Sequence, residues 1–389
     1  MRGSTFALMI TCAALMIGSA FAQGIVVPGD SDGDKIVSAE EMAAAEKLAQ
    51  EGKLSADDLQ EIKHIHEKYP INITDSANRT VTIYKPVKRM ILQGTFSYEP
   101  ALILKAHDRI IAVTNAAQKE FFFIPGMMDK PTIGEYNAID FEKVIENRPD
   151  VLIISPSKVE EAETKLKPIG TTVISLRFND INKFEAEFRN LARILDENDT
   201  ADEFLNWRND ILEDIREKTA DIDPKKRVYN EYTDIQWTTG SKTSGIHDII
   251  TLAGGNNIAG DLATPYYAEV DPEWVVMQNP DVIILPDYTG NLTGYSVNDE
   301  TKAKEFLELV SNRTGLKEVA AVKNGRIFVL HGHVGWIGRG GGEIGVCYCA
   351  KWLYPDIFKD LDPEALHEEY FEKWLGVPYK GIWAYPQAS

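Results

Sequence analysis

The chain has 389 residues, with 41 Lys and Arg against 60 Asp and Glu, for a formal charge of −19. So acidic a surface excludes nucleic acid and anionic membrane faces as partners. The length predicts about two lobes and an appendage rather than one small domain.

The first elements are short and separable. Residues 1–22 (MRGSTFALMITCAALMIGSAFA) place one arginine before an apolar run and end in Ala20-Phe21-Ala22, the pattern of a secretory signal peptide cleaved near Ala22. An exported, extracytoplasmic protein is therefore expected. No later stretch reaches about 18 apolar residues, so no spanning helix is expected beyond the leader. Residues 23–69 form the next unit. "DSDGDKIVSAEE" sets Asp30, Asp32, Asp34, Ile36, Ser38 and Glu41 at the ligand positions of a calcium loop, with the Ile36 carbonyl as one ligand. Lys35 stands where the sharp turn favours glycine. "VSAEEM" (37–42) recurs as "LSADDL" (54–59), but Lys47 and Ala49 replace Asp30 and Asp32 in the second copy. An EF-hand or dockerin-like helical module with one Ca2+ is the expectation.

From residue 70 the period changes. An alternating stretch at 71–83 predicts a hairpin, and strands are expected near 89–93, 109–114, 150–155 and 172–176, with helices between them. This N-terminal α/β lobe runs over 70–179. Apolar positions Phe184, Phe188, Leu191, Ile194, Leu195, Phe204, Trp207, Ile211 and Ile215 then recur at helical spacing through a connecting segment, 180–222. A C-terminal α/β lobe, 223–389, repeats the alternation and ends in the strand "RIFVLHGH" and a helical tail. Strands that alternate with helices call for mostly parallel sheets.

The second half echoes the first at one place in detail. "IDFEKVIENRPDVLIIS" (139–155) and "VDPEWVVMQNPDVIILP" (270–286) both read helix, Pro-Asp, buried strand, with Glu142 and Glu273 in matching first turns. With "HDIITLAGGNNI" and "LYPDIF", these motifs resemble the substrate-binding proteins of ABC importers for iron–siderophore complexes, haem and cobalamin, over about residues 74–386. The resemblance implies two lobes joined by one long helix, a ligand in the cleft between them, and no enzymatic activity. It also implies an ABC permease as partner, docked through Glu142 and Glu273. A monomer is expected.

The loops after the strands hold the expected ligand contacts: Phe96, Tyr98, Lys119, Tyr232, Trp237, Lys242, Tyr266, Tyr267, His331, Trp336 and Arg339. Phe121, Tyr288, His333 and Lys158 lie in the same loops. Aromatic faces suit a bulky chelate, and cations suit the negative charge of a ferric complex. An iron(III)–siderophore is the favoured ligand, with cobalamin or haem as alternatives. A metal-dependent hydrolase built from His247, His331, His333, Asp248 or Glu343 is the competing reading, but no hydrolase or phosphate-loop motif accompanies those residues. His331 and His333 alternate along a strand, which predicts opposite faces. Gly340, Gly342 and Gly345 match the letter of a dinucleotide turn, yet no return strand is expected after the helix that follows, so a glycine turn walling a ligand pocket is the better reading. Cys347 and Cys349 are too close for an ordinary disulfide and read as small buried side chains.

Overall fold

The computed structural model describes residues 24–264, 266–335 and 341–387. The expected leader, Trp336 and Arg339 lie outside them.

The appendage is two helices, Ala39–Gln50 and Ala56–Lys68. The repeated motif explains both starts: Ser38 and Ser55 each accept a backbone N–H three residues on, from Glu41 and Asp58. Glu41 completes a capping box by accepting the Ser38 N–H at 2.9 Å. The helices and the segment before them share Val27, Val37, Met42, Ala45, Ile62 and Ile65 with the lobe core, so the module is fused to the N-terminal lobe by burial. His66 Nδ1 lies 2.6 Å from the Val37 carbonyl.

The N-terminal lobe holds a four-stranded parallel sheet in the order Ile110–Ala112, Met90–Leu92, Val151–Ile153, Thr172–Ile174. Successive side chains point to opposite faces. Met90 and Leu92 enter one core while Ile91 enters another, and Val151, Leu152 and Ile153 divide the same way. Both faces are covered, as near-continuous apolar strands require. The C-terminal lobe has five strands in the order Asn256–Asn257, Arg227–Asn230, Val282–Asp287, Ile327–His331, Ala384–Tyr385.

The internal echo is structural as well as sequential. Helices Phe141–Asn147 and Pro272–Gln278 end at Arg148 and Asn279, both left-handed with φ of 44° and 41°. Asp150 then accepts the Arg89 N–H at 3.0 Å, and Asp281 accepts the Arg227 N–H at 2.8 Å. Each carboxylate anchors the start of the neighbouring strand.

Two expectations need correction. The connecting segment is two helices, Phe184–Leu195 and Asn198–Thr219, because Asp196 takes a left-handed backbone (φ 58°) and ends the first. The second is about 33 Å long at 1.5 Å per residue, and it touches Tyr98–Ile103 of one lobe and Gly245–Leu252 and Gly342–Leu353 of the other. The tail is not wholly helical either. After Pro363–Glu369 the chain returns as Ala384–Tyr385, antiparallel to Val329–Leu330. The return is antiparallel, so the glycines still lack the parallel βαβ unit of a dinucleotide fold.

His367 is fully buried among Tyr348, Phe371, Tyr379 and Trp383, and neither ring nitrogen has a hydrogen-bonding partner among the described residues. Burial holds its pKa well below the ordinary value. Unfolding lets the ring protonate near pH 6.5, so the unfolded state binds more protons and this group's contribution to stability falls as the pH drops. The nearby carboxyl of Glu343, raised to about 7 by burial, acts in the opposite sense but is common to both chains compared. His367→Leu is therefore expected to stabilise by about 1–2 kcal/mol at pH 8. Below about pH 6.5 the gain should grow by up to about 1.4 kcal/mol per pH unit. Urea denaturation of both chains at pH 8 and pH 5 checks this, and a pH-independent difference would contradict it.

Candidate functional site

The carboxyl ends of the strands in both lobes converge on a cavity of about 600 Å3. The N-terminal lobe contributes Lys119, Phe122 and Phe123, which follow the strand Ile110–Ala112. The C-terminal lobe contributes Tyr288, Tyr295, His331, His333 and Trp383. Phe123 stacks on Tyr295 with ring centroids 4.8 Å apart, so the two lobes meet through aromatic faces. Phe122 is 46% exposed at the lip.

His331 closes its strand, and the chain turns before His333. Strand alternation therefore stops one residue short, and both imidazoles reach the same cavity with ring centroids 6.3 Å apart. The expected opposite-face placement is wrong for that reason. His331 Nδ1 accepts the His333 N–H at 3.1 Å, which leaves the ring proton on Nε2. Burial keeps both rings neutral: His331 is held well below its usual value against the pull of Asp287, and His333 falls to about 3. Asp287 itself is satisfied by the N–H groups of Thr289, Leu292 and Thr293 and the hydroxyls of Thr289 and Thr293. Trp383 stands at the centre, with ring centroids 4.9 Å from His331, 5.4 Å from His333 and 5.0 Å from His367.

Behind Tyr288 lies a cluster of tyrosines, of which only Tyr288 itself lines the cavity. Tyr232 lies 5.1 Å from Tyr267 and 5.6 Å from Tyr288, and Tyr266 lies 4.7 Å from Tyr267, ring to ring. Tyr232 is buried behind the others, and Tyr267 is 51% exposed. The Tyr288 ring lies flat on Gly332, where a Cβ would sit 2.2 Å from it, so only glycine permits this approach.

Beneath the cavity a buried polar network spans both lobes and the connecting helix. Glu99 lies 3.0 Å from His333 Nε2 and accepts a short hydrogen bond from the Tyr370 hydroxyl. Arg208, on the connecting helix, lies 3.6 Å from Glu343. Buried polar groups held this way resist independent movement of the lobes, because separating them leaves buried groups without partners.

Several expected contacts are elsewhere. Tyr98 is fully buried and donates to the Leu92 carbonyl at 2.7 Å, and Phe121 stacks on it at 5.4 Å. Both are core, because the helix starting at Tyr98 turns that face onto the sheet. Trp237, at φ 60°, packs on the C-terminal lobe under Arg313 at 5.4 Å. Lys242 and His247 line a separate hollow with Arg227 and Asp281, at the opposite end of the strands. Asp248 is not among the residues lining the cleft cavity, and Glu343 is buried against Arg208, so the hydrolase set is not assembled. Lys158 pairs with Glu161 at 3.6 Å. Phe96 lines a neighbouring hollow of about 330 Å3 in the N-terminal lobe. Phe122, Phe123, Tyr295 and Trp383 went unnamed among the expected contacts. For the first three the aromatic density of their loops was the available signal, and for Trp383 there was none.

Glu142 and Glu273 are both exposed in the first turn of their helices. In the appendage, carboxylate oxygens of Asp30, Asp32 and Glu41 lie within 4.8 Å of one another. Lys35 adopts the left-handed backbone of the turn (φ 71°), and its ammonium lies over the Tyr84 ring at 4.9 Å rather than among the acids. Asp34 is outside that trio, accepting the Ile36 N–H at 2.7 Å. Donors from Ser31 and Ser38 hold the Glu41 carboxyl down at about 2.

The sequence model of the family described as "Periplasmic binding protein" matches residues 98–334. The chain is 28% identical over 309 residues to the "Uncharacterized ABC transporter substrate-binding lipoprotein YvrC" of Bacillus subtilis (strain 168), covering 76% of this chain and 88% of that one. It is 21% identical over 338 residues to the molybdate-binding protein MolA of Haemophilus influenzae, covering 79% and 92%. Among solved structures it resembles a TroA-like periplasmic binding protein, FepB from Veillonella parvula. The TM-score is 0.73 at 23% identity, covering 82% of this chain and 100% of that one.

Proposed function

The chain belongs to the periplasmic binding protein family, and on that premise we propose that it captures an iron(III)–siderophore or related metal chelate outside the cytoplasm and delivers it to an ABC permease. The observation that carries this reading is the inter-lobe cavity of about 600 Å3 with Phe122, Phe123, Tyr288, Tyr295 and Trp383 around it and Lys119 at its edge. Its size is that of a small-molecule site, and its walls combine aromatic faces with the polar side chains of Lys119, Glu120, Thr289, Ser296, His331 and His333. Lys119 and Glu120 place one cation and one carboxylate in the lining, so a ligand there meets groups of both signs. Cobalamin and haem fit the same walls and are the alternatives. Titrating the protein with a ferric tris-catecholate, cyanocobalamin and haemin, followed by tryptophan fluorescence, tests the reading, since Trp383 lies in the wall.

Glu142 and Glu273, one on each lobe, serve as the permease footprint in this proposal. Their exposure on two equivalent, anchored helix starts supports the role.

The N-terminal loop is proposed to take one Ca2+ through Asp30, Asp32 and Glu41, with the Ile36 carbonyl, Asp34 and Ser38 completing an oxygen shell. The convergence of three carboxylates and the left-handed Lys35 support the fit. Millimolar Ca2+, but not Mg2+, is expected to raise the unfolding midpoint of the full chain by several degrees. An Asp30→Ala, Glu41→Ala double variant should lose that response; identical shifts in both chains would remove the site from consideration.

A further inference from the structure

The chain has 19 asparagines and 23 threonines in 389 residues, a composition that places threonine two residues after asparagine about once by chance. It does so five times, at Asn72-Ile-Thr74, Asn78-Arg-Thr80, Asn198-Asp-Thr200, Asn291-Leu-Thr293 and Asn312-Arg-Thr314. With no proline between, each is an acceptor sequon for an N-linked glycan. All five asparagines are exposed, whereas Asn230 and Asn257, outside any sequon, are buried.

Hydrogen bonding sorts the five. A transferase reads the hydroxyl two residues beyond the asparagine and joins the glycan to Nδ2, so both groups must be open. Thr200 is buried, its hydroxyl donating to Glu197 at 3.0 Å and accepting from Lys105 at 3.1 Å. Thr293 is fully buried with its hydroxyl on Asp287 at 3.1 Å. At Asn312 it is the amide that is spent, since Nδ2 donates to the Glu308 carbonyl at 2.8 Å. Asn72 and Asn78 remain. Thr74 and Thr80 are exposed, and neither hydroxyl makes a hydrogen bond among the described residues. Asn72 accepts the Thr82 hydroxyl on Oδ1 at 2.7 Å and keeps Nδ2 open, and the Asn78 side chain makes no hydrogen bond among the described residues.

These two sequons share one surface. The hairpin of Ile71–Thr74 and Thr80–Ile83 sets Thr74 opposite Thr80 and Asn72 opposite Thr82. Strand alternation sends Ile73, Val81 and Ile83 into the core and turns Asn72, Thr74, Thr80 and Thr82 outward. Asn78 stands in the turn at the tip, with a left-handed backbone (φ 57°), while the Arg79 side chain beside it is pinned to Asp75 and Glu163. The four outward side chains carry no charge, on a chain in which 26% of residues are charged. Charge is what ordinarily guards a strand edge, and Thr80–Ile83 pairs on one side only among the described residues. Neither asparagine lines the cleft cavity or lies on the helices Phe141–Asn147 and Pro272–Gln278.

We propose that this hairpin is an N-glycosylation site, with Asn78 the principal acceptor and Asn72 the second, modified once the chain has been exported. The inference rests on the extracytoplasmic reading and is independent of which ligand the cleft takes. The donor is an oligosaccharide joined to a lipid through a diphosphate, and the catalyst is an oligosaccharyltransferase of the exporting membrane. Asn78 Nδ2 attacks the anomeric carbon, a C–N bond forms as the C–O bond to diphosphate breaks, the amide gives up one proton and the lipid diphosphate leaves. The glycan covers the uncharged face and screens the open strand edge from pairing with another chain.

The test is mass spectrometry of the full chain recovered from the cells that naturally make it, with peptide fragmentation to locate the modified nitrogen. The unsubstituted chain is compared with Asn78→Gln, Thr80→Val and Thr80→Ser, and circular dichroism checks that each variant is folded. A saccharide mass on Asn78 is expected in the unsubstituted chain, with Asn198 and Asn291 bare. Asn78→Gln and Thr80→Val should both lose it. Thr80→Val keeps the asparagine and the branched shape of the strand residue, so that loss isolates the hydroxyl. Thr80→Ser should retain the modification. An exported chain with its leader removed and Asn78 bare overturns the proposal and leaves the extracytoplasmic reading standing. So does a saccharide that persists on Asn78 in Thr80→Val, or one on Asn198 or Asn291 with Asn78 bare. An unmodified chain found in the cytosol with its leader intact overturns the extracytoplasmic reading and this proposal together.

Discussion

Gly345→Ala is expected to destabilise the chain by about 3 kcal/mol, although alanine is the better helix former. Gly345 lies in the buried helix Gly342–Leu353, where an added Cβ would stand 2.0 Å from the Val334 carbonyl oxygen and 3.3 Å from Ile249. The first neighbour is backbone and cannot swing aside, so either the helix or the turn after His331 must move. Both supports are themselves fixed: Val334 N–H donates to the His331 carbonyl at 3.2 Å, and Gly332 N–H to Asp287 at 2.8 Å. Propensity alone would favour alanine by about 1 kcal/mol, so the sign of the change decides between packing and propensity. Guanidinium denaturation at constant slope measures it. A gain in stability would contradict the close approach. A loss accompanied by weaker ligand binding is expected, because the turn that shifts carries His331 and His333.

Reversing both carboxylates of the proposed permease footprint is expected to abolish delivery without affecting capture. Glu142 and Glu273 lie on separate lobes, and neither lines the cleft cavity. A partner that reads both at once is also reading the distance between the lobes. Glu142→Arg with Glu273→Arg turns two attractions into two repulsions, and uptake into proteoliposomes carrying the permease should fall by at least about a hundredfold. Ligand affinity should remain within about twofold. Each single reversal should give an intermediate loss, since each footprint contributes separately. Uptake unaffected in the double variant would remove these residues from the docking surface. Loss of uptake together with loss of binding would point to damage in the cleft.

Where local pattern and tertiary structure agree, the chain is readable in advance. The helix–Pro-Asp–strand echo is local, and it recurs in the structure down to matching left-handed caps at Arg148 and Asn279. The parallel sheets follow from the alternation of elements. The repeated Ser-Ala-acid-acid motif marks two helix starts because capping needs only a serine hydroxyl and the N–H three residues on. What could not be read depends on contacts between distant segments. Tyr98 and Phe122 look alike in sequence, yet one sits under a helix and the other on the cavity lip, and only the packing angle of that helix separates them. Trp383 immediately precedes the two-residue strand Ala384–Tyr385, which carries no period of its own and exists because Val329 and Leu330 offer an edge. His333 reaches the cavity because its strand stops at His331, a boundary of the kind pattern reading places least well. Lys242 and Trp237 sit in a loop dense with plausible ligands, but their directions are set by Arg313 and by the far end of the sheet.

The buried network under the cleft bears on how the lobes move. Glu99, His333 and Tyr370 join the two lobes, and Arg208 with Glu343 ties the connecting helix to the C-terminal one. Opening the cleft widely would break several of these contacts at once, so the expected motion is a small rocking about the helix Asn198–Thr219.

The most direct test of the central claim is equilibrium titration of the full-length chain with a ferric tris-catecholate, cyanocobalamin and haemin, comparing the unsubstituted protein with Trp383→Phe. A ligand seated between the lobes lies against Trp383, so one of the three should quench tryptophan fluorescence saturably at one site per chain. Part of that quenching should be lost in Trp383→Phe, the other tryptophans of the chain supplying the rest, while the affinity, measured by calorimetry, changes only modestly. Quenching that persists undiminished in Trp383→Phe, or no saturable binding of any of the three, would contradict a chelate held in this cleft.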